Sequence, residues 1–193
     1  MKRSFSFLLL IMGICFIACS CSKDKDKEEG NYGNHPRTTI PDDLVGYWLA
    51  GSTSIGNFWG YDGSYQGAAF ELANGYMLFK DGRAREYFYY TNTSYGCRSQ
   101  VLGYKEGTVE IDVANQTFKF YPNSGNYRNY SSCNSSGNGK TKTYGKEELY
   151  PAVKTFYEEV EFRKENGKVK SWHIHYDDGS SLDFVKTQEP KKQ

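Results

Sequence analysis

His173 and His175, in Trp172-His173-Ile174-His175-Tyr176, stand two residues apart, the spacing at which two side chains on one strand face can share a metal ion. A zinc site wants three or four ligands, and the sequence marks no third. The pair also alternates with apolar residues, so both imidazoles are expected to point away from the core toward solvent. Asp177 and Asp178 precede Gly179 and read as turn residues, not as a paired acid and base. Gly137-Asn138-Gly139-Lys140-Thr141 ends like a phosphate-binding loop, but Asn134 stands where the first glycine belongs, and no strand-to-helix context surrounds it. Gly-x-Ser-x-Gly, His-Glu-x-x-His and Cys-x-x-Cys are all missing. The expectation is therefore no catalytic residue, no metal and no cofactor.

The cysteines carry more information. Cys15, Cys19 and Cys21 fall near the start of the chain, which leaves Cys97 and Cys133 as the domain's own pair. Outside the cytoplasm such a pair can persist as a disulfide, and Cys97–Cys133 is the bridge expected, with two buried free thiols as the alternative. The start of the chain speaks for that compartment. Lys2 and Arg3 precede an apolar run from Phe5 to Ala18, too short for a bilayer core that needs about 20 apolar residues, so an export signal over 1–18 is favoured over a spanning helix. Ala18 then presents a small residue directly before Cys19, the arrangement a lipoprotein signal requires, and Cys21 is the alternative acylation site. Multiple acylation there, palmitate included, would hold the protein on a membrane without any spanning segment.

Residues 19–41 are rich in charge and nearly free of apolar side chains, and they are expected to form a solvated, lipid-anchored tether that also holds His35. Its first part, Ser22-Lys23-Asp24-Lys25-Asp26-Lys27-Glu28-Glu29, resembles the surface-export tether of lipoproteins from the Bacteroidota. That resemblance implies an outer-membrane or cell-surface address.

Residues 42–187 read as one all-β domain, followed by a polar tail over 188–193. The chain has 193 residues with 24 basic and 23 acidic side chains, and near-neutrality argues against a nucleic-acid partner, whose phosphates need a clear cationic excess. Aromatics are 17% of the chain, a composition suited to pleated, half-buried surfaces. Asn74-Gly75, Asp81-Gly82, Asn166-Gly167 and Asp178-Gly179 each follow or separate alternating apolar runs and predict tight hairpin turns. Val109, Ile111 and Val113 pair by the same logic with Phe118 and Phe120 around Ala114-Asn115-Gln116. Val160, Phe162, Trp172, Ile174, Tyr176, Leu182 and Phe184 share one strand parity and predict a closing three-stranded meander with one buried face. The sole helix candidate, from Lys146, is cut off by Pro151. These features favour an antiparallel up-and-down barrel, with a β-sandwich as the alternative.

Leu44-Val45-Gly46-Tyr47-Trp48 resembles the L-x-G-x-W opening of lipocalin-like barrels, and Leu78-Phe79-Lys80-Asp81-Gly82 resembles an early hairpin of bacterial lipocalin-like lipoproteins. The resemblance implies that Gly46 and Trp48 close one end of an eight-stranded barrel, with a ligand-sized mouth at the other. Lipocalins commonly lay an Arg from the last strand over that Trp; here Lys186 is the cation available. A small amphipathic molecule is the ligand such a mouth would take. The second possibility is a glycan-contacting or structural lipoprotein using Trp59, Tyr61 and Tyr65, aromatics flanked by glycine that suit sugar rings. Pro122 to Gly145, poor in apolar residues, is expected to be a long irregular insert, a lid carrying Tyr127 and Tyr130 or a passive hairpin end.

Overall fold

A computed structural model describes residues 30–51, 70–149, 160–175, 179 and 181–188. The signal, Cys19, Cys21, Trp59, Tyr61, Tyr65 and Tyr176 lie outside the described residues. The fold is all-β, with nine strands among the described residues: β1 (Gly46–Gly51), β2 (Phe70–Leu78), β3 (Arg83–Ser94), β4 (Cys97–Asp112), β5 (Thr117–Ser131), β6 (Thr141–Thr143), β7 (Val160–Glu165), β8 (Lys168–His175) and β9 (Ser181–Thr187). They form one antiparallel sheet in the order β6-β5-β4-β3-β2-β1-β9-β8-β7. One helical turn, α1 (Lys146–Leu149), sits between β6 and β7, its start capped where Gly145 N–H donates to Glu148 Oε2 at 2.7 Å.

The sheet is strongly curled. In a flat sheet β5 and β8, six strand spacings apart in the order, would be separated by about 29 Å. Yet the rings of Phe118 on β5 and Trp172 on β8 lie 4.9 Å apart, and Tyr76 on β2 touches both. Near one end of the curl Val160 N–H, at the start of β7, donates to the Gln116 carbonyl in the β4–β5 turn at 3.1 Å. The concave side therefore encloses a dry core of Trp48, Tyr76, Phe118, Phe120, Trp172 and Phe184, all 0–1% exposed. Trp172 and Phe184 stack at 4.3 Å, and Trp48 meets Trp172 edge-on at 6.3 Å. The closing meander behaves as its parity predicts, with Val160, Trp172, Ile174 and Phe184 buried in this core. A bulge between Arg163 and Lys164 opposite Lys170 rotates Val169 into it as well, and Asp43 Oδ2 accepts the Val169 N–H at 2.7 Å.

Three expectations are corrected. First, Asn74-Gly75 is not a turn but the interior of β2, paired with Ala50 and Leu49 on one side and Phe88 and Tyr87 on the other. The glycine is needed because the Tyr47 ring lies directly over its Cα, where a side chain would collide. Second, residues 30–41 of the expected tether are packed. Asn31 N–H donates to Glu106 Oε2 at 2.8 Å, Thr38 N–H to the Val109 carbonyl at 3.0 Å, and Tyr32 and Ile40 are buried. The strap clings through backbone hydrogen bonds, which a count of apolar residues does not register. Third, the presumed irregular insert is a regular strand as far as Ser131, paired with β4 across its length. Polar side chains on both of its faces hide the two-residue period. Asp81-Gly82 and Asn166-Gly167 turn as expected, Asn166 and Gly167 both taking positive φ, 52° and 77°, as a tight turn requires, while Asp178 of the last signal lies outside the described residues.

Candidate ligand-binding site on the concave face

Above the dry core, the concave face turns polar. Strand parity carries Asn74 one step up β2 from Tyr76, and the register sets Tyr76 opposite Glu86 on β3 and Glu86 opposite Lys105 on β4. Glu86 Oε1 accepts from Tyr76 Oη at 3.0 Å, and Oε2 accepts from Lys105 Nζ at 2.8 Å. The side chains of this ion pair are only 8% and 17% exposed, so the carboxylate depends on these two partners for what water would otherwise supply. Tyr144, just beyond β6, leans over β4 at Gly103, where a Cβ would come within 2.8 Å of its hydroxyl. Its ring lies 5.5 Å from Lys105 Nζ and 5.0 Å from the ring of Tyr127, and Lys142 Nζ is 6.0 Å from Tyr127. Burial above all, with the charges of Glu86, Tyr127 and Glu148 adding, pushes the Tyr144 hydroxyl up to about 12. Phe88 and Tyr90 on β3 continue the same face and are half-buried.

Asn74 is the anomaly in this group. It is 9% exposed, and its Oδ1 accepts no hydrogen bond. A buried amide oxygen without a donor costs about 1–3 kcal/mol, so a strand interior does not retain one for stability. A turn-forming residue in mid-strand, its side chain on the face that also holds a carboxylate, an ammonium and two phenols, stands out as a polar group the fold itself leaves incomplete.

The expected site residues distribute unevenly around this cluster. Tyr127 belongs to it. Tyr130 does not: three positions away, it falls on the convex face and packs against the second apolar cluster, Tyr47, Ala73, Tyr87, Tyr89 and Leu102. Cys97 and Cys133 are disulfide-bonded, fastening the tip of the β3–β4 hairpin to the chain just past β5, and Ser132 N–H donates to the Arg98 carbonyl beside the bridge. Trp48 is wholly buried and its Nε1 donates to the Leu44 carbonyl at 2.7 Å. Lys186 is opposite it in the β1–β9 register, with Nζ 5.5 Å from the Trp48 ring and 2.9 Å from the Asp43 carbonyl it donates to. Gly46, with φ of 122°, receives the Lys186 stem, which a Cβ would approach to 3.0 Å. Asn74, Glu86 and Lys105 were not singled out by sequence reasoning; the only signal available was an Asn-Gly pair followed too soon by a second turn at Asp81-Gly82.

The histidines need a correction. His175 is exposed, but His173 is buried on the convex face, in a cross-strand row with Glu161 on β7 and Asp183 on β9. Its Nδ1 meets the Asp183 carboxylate, while Nε2 has no partner. Burial first, and then the Arg163 charge, hold its imidazole below the usual range against the opposing pull of Glu161. Among the described residues no group of three or more His, Cys, Asp or Glu side chains is disposed to hold a metal ion.

A second concavity, a surface cleft of about 540 Å³, lies at the other end of the sheet between Asp42, Asp43, Lys168, Lys170, Val185 and Lys186. Its carboxylates are already engaged, Asp42 by Lys80 and Asp43 by the Val169 N–H.

No protein-family model, no curated protein and no solved structure matches this chain.

Proposed function

We propose that this chain is a lipid-anchored, non-enzymatic binding protein of the bacterial cell envelope, whose curled sheet is a lipocalin-like barrel that takes a small amphipathic ligand at the polar half of its concave face. The observation that carries the reading is the buried, unpartnered Asn74 Oδ1 beside the Glu86–Lys105 pair. The lipocalin comparison draws support from Trp48 and Lys186, whose ring and ammonium meet at the narrow end in the manner the L-x-G-x-W opening implies. The ligand sits high, because the aromatic rings from Trp48 to Phe184 fill the described part of the dry half. Its polar group meets Asn74 and Lys105, and its apolar surface lies against Tyr127 and Tyr144. Anchorage rests on the order Lys2-Arg3, apolar run, Ala18-Cys19, and the resemblance of the charged run over 22–29 to a surface-export tether supports an outer-membrane or cell-surface address.

The binding test is a fluorescence titration of the purified chain with 1-anilinonaphthalene-8-sulfonate, an amphipathic aromatic anion. Saturable binding that weakens at least tenfold in both Asn74→Leu and Tyr127→Ala is expected. Absence of saturable binding, or binding that neither substitution changes, refutes the reading. For anchorage, mass spectrometry of the membrane-extracted chain should find an acylated N-terminal Cys19, or Cys21 if cleavage falls two residues later.

A further inference from the structure

We infer that the ligand of the concave-face site is a saccharide, an inference that rests on the binding reading above and narrows it. Three ligand chemistries compete for a site of this make-up, and the geometry separates them. A cation is disfavoured because the two rings that would attract it already have ammonium groups beside them, Lys105 Nζ at 5.5 Å from Tyr144 and Lys142 Nζ at 6.0 Å from Tyr127. An acyl chain is disfavoured because it needs a dry, aliphatic slot, and the dry half of the face is occupied by rings packed at 4.3–6.3 Å from one another.

What the polar half offers is a mixture. Asn74 Oδ1 only accepts, Lys105 Nζ only donates and has used one of its three protons on Glu86, and the Glu86 carboxylate can accept further bonds. A hydroxyl both donates and accepts, so the several hydroxyls of one saccharide can satisfy an amide oxygen on β2 and an ammonium from β4 together. The C–H face of a neighbouring unit of the same oligosaccharide then lies on the half-buried phenols of Tyr144 and of Tyr127, the latter three strands from Asn74; the two rings stand 5.0 Å apart with planes 38° from parallel. A saccharide presents hydroxyl edges and an apolar C–H face on one small frame.

Affinity electrophoresis of the native chain through gels containing starch, xylan, galactomannan, β-glucan or polygalacturonate tests this. Retardation by at least one polysaccharide is expected, with the apparent affinity falling at least tenfold in Asn74→Leu and in Tyr127→Ala, while Lys168→Gln in the far cleft leaves it unchanged. The inference is overturned if no gel retards the chain while the anilinonaphthalene dye still binds; the site then takes another amphipathic class. It is also overturned if retardation persists in both site variants, which would put the sugar elsewhere. Loss of dye binding and of retardation alike in the unmodified chain would sink the parent reading with it.

Discussion

Replacing Asn74 by leucine should stabilise the protein and abolish ligand binding, an opposition that few substitutions in a buried strand would produce. Asn74 Oδ1 has no donor and the residue is 9% exposed, so the folded state carries a desolvation penalty of about 1–3 kcal/mol that leucine removes. Leucine is branched like asparagine but somewhat larger, and fitting it costs part of that gain. Its cross-strand neighbours are the small Ala50 on β1 and the bulky Phe88 on β3, so the extra volume is taken up toward the alanine. The net expectation is a gain of about 1–2 kcal/mol, or about 3–6 °C in Tm for a domain of this size. Thermal unfolding followed by circular dichroism measures the first half, and the dye titration measures the second. A fall in Tm would refute the reasoning, because it would mean that the amide makes hydrogen bonds that hold β2 in place. A rise in Tm with undiminished binding would refute the site while leaving the desolvation argument intact. Stability given up at one residue is the usual signature of a functional position.

Lys105→Met should be costly, because it leaves the buried Glu86 carboxylate with the Tyr76 hydroxyl alone; a loss of about 3 kcal/mol in urea unfolding is expected, and adding Glu86→Gln should recover most of it. Reducing the Cys97–Cys133 bridge, which spans 36 positions, should lower stability by about 4 kcal/mol from loop-closure entropy alone, read as a shift in the urea midpoint with and without reductant. At high pH the Tyr144 hydroxyl stays protonated in the folded state to about 12, whereas an unfolded tyrosine ionises near pH 10. The unfolded chain therefore releases its proton first, and stability falls as pH rises from about 10 to about 12. Tyr144→Phe should remove about 2 kcal/mol of that fall, measured by comparing urea midpoints of the two proteins at pH 9 and pH 11.5.

Local signals in the sequence found what is local in the fold. Asn166-Gly167 turns where expected because both residues accept positive φ, and Val109–Ile111 faces Phe118–Phe120 because the four residues between β4 and β5 leave little choice of partner. Parity put Trp172, Ile174 and Phe184 in the core. The pairing of β1 with β9 and the curl that brings Phe118 to Trp172 join residues far apart in the chain, and no short motif encodes them. Where backbone pairing acts without apolar side chains, the pattern also misled. The strap over 30–41 and the upper half of β5 are polar in composition yet hydrogen-bonded to the sheet. His173 shows the converse: its parity is as expected, pointing away from the aromatic core, but its own ring is buried although Arg163 and Asp183 on the same face are exposed and Glu161 is half-exposed.

The misread turn at Asn74-Gly75 is the most informative of these differences. Asparagine followed by glycine favours a hairpin because both tolerate positive φ, and in this chain neither is used that way: the pair is extended in mid-strand. Each residue has instead a separate reason to be there. Gly75 makes room for the Tyr47 ring on the convex face, a packing role that fixes β1 against β2. Asn74 faces the opposite side and packs nothing polar against its oxygen, so packing gives no account of it. A local preference overridden for structural reasons is ordinary; one overridden at a cost to stability points outward, to a molecule that completes the hydrogen bond. The same logic separates Tyr127 from Tyr130. Both are half-buried tyrosines on one strand, but Tyr130 is accounted for by the convex apolar cluster, while Tyr127 shares its ring face with Tyr144 above Gly103, a glycine whose missing side chain admits that second ring. The site is thus defined by the residues for which the fold alone supplies no reason.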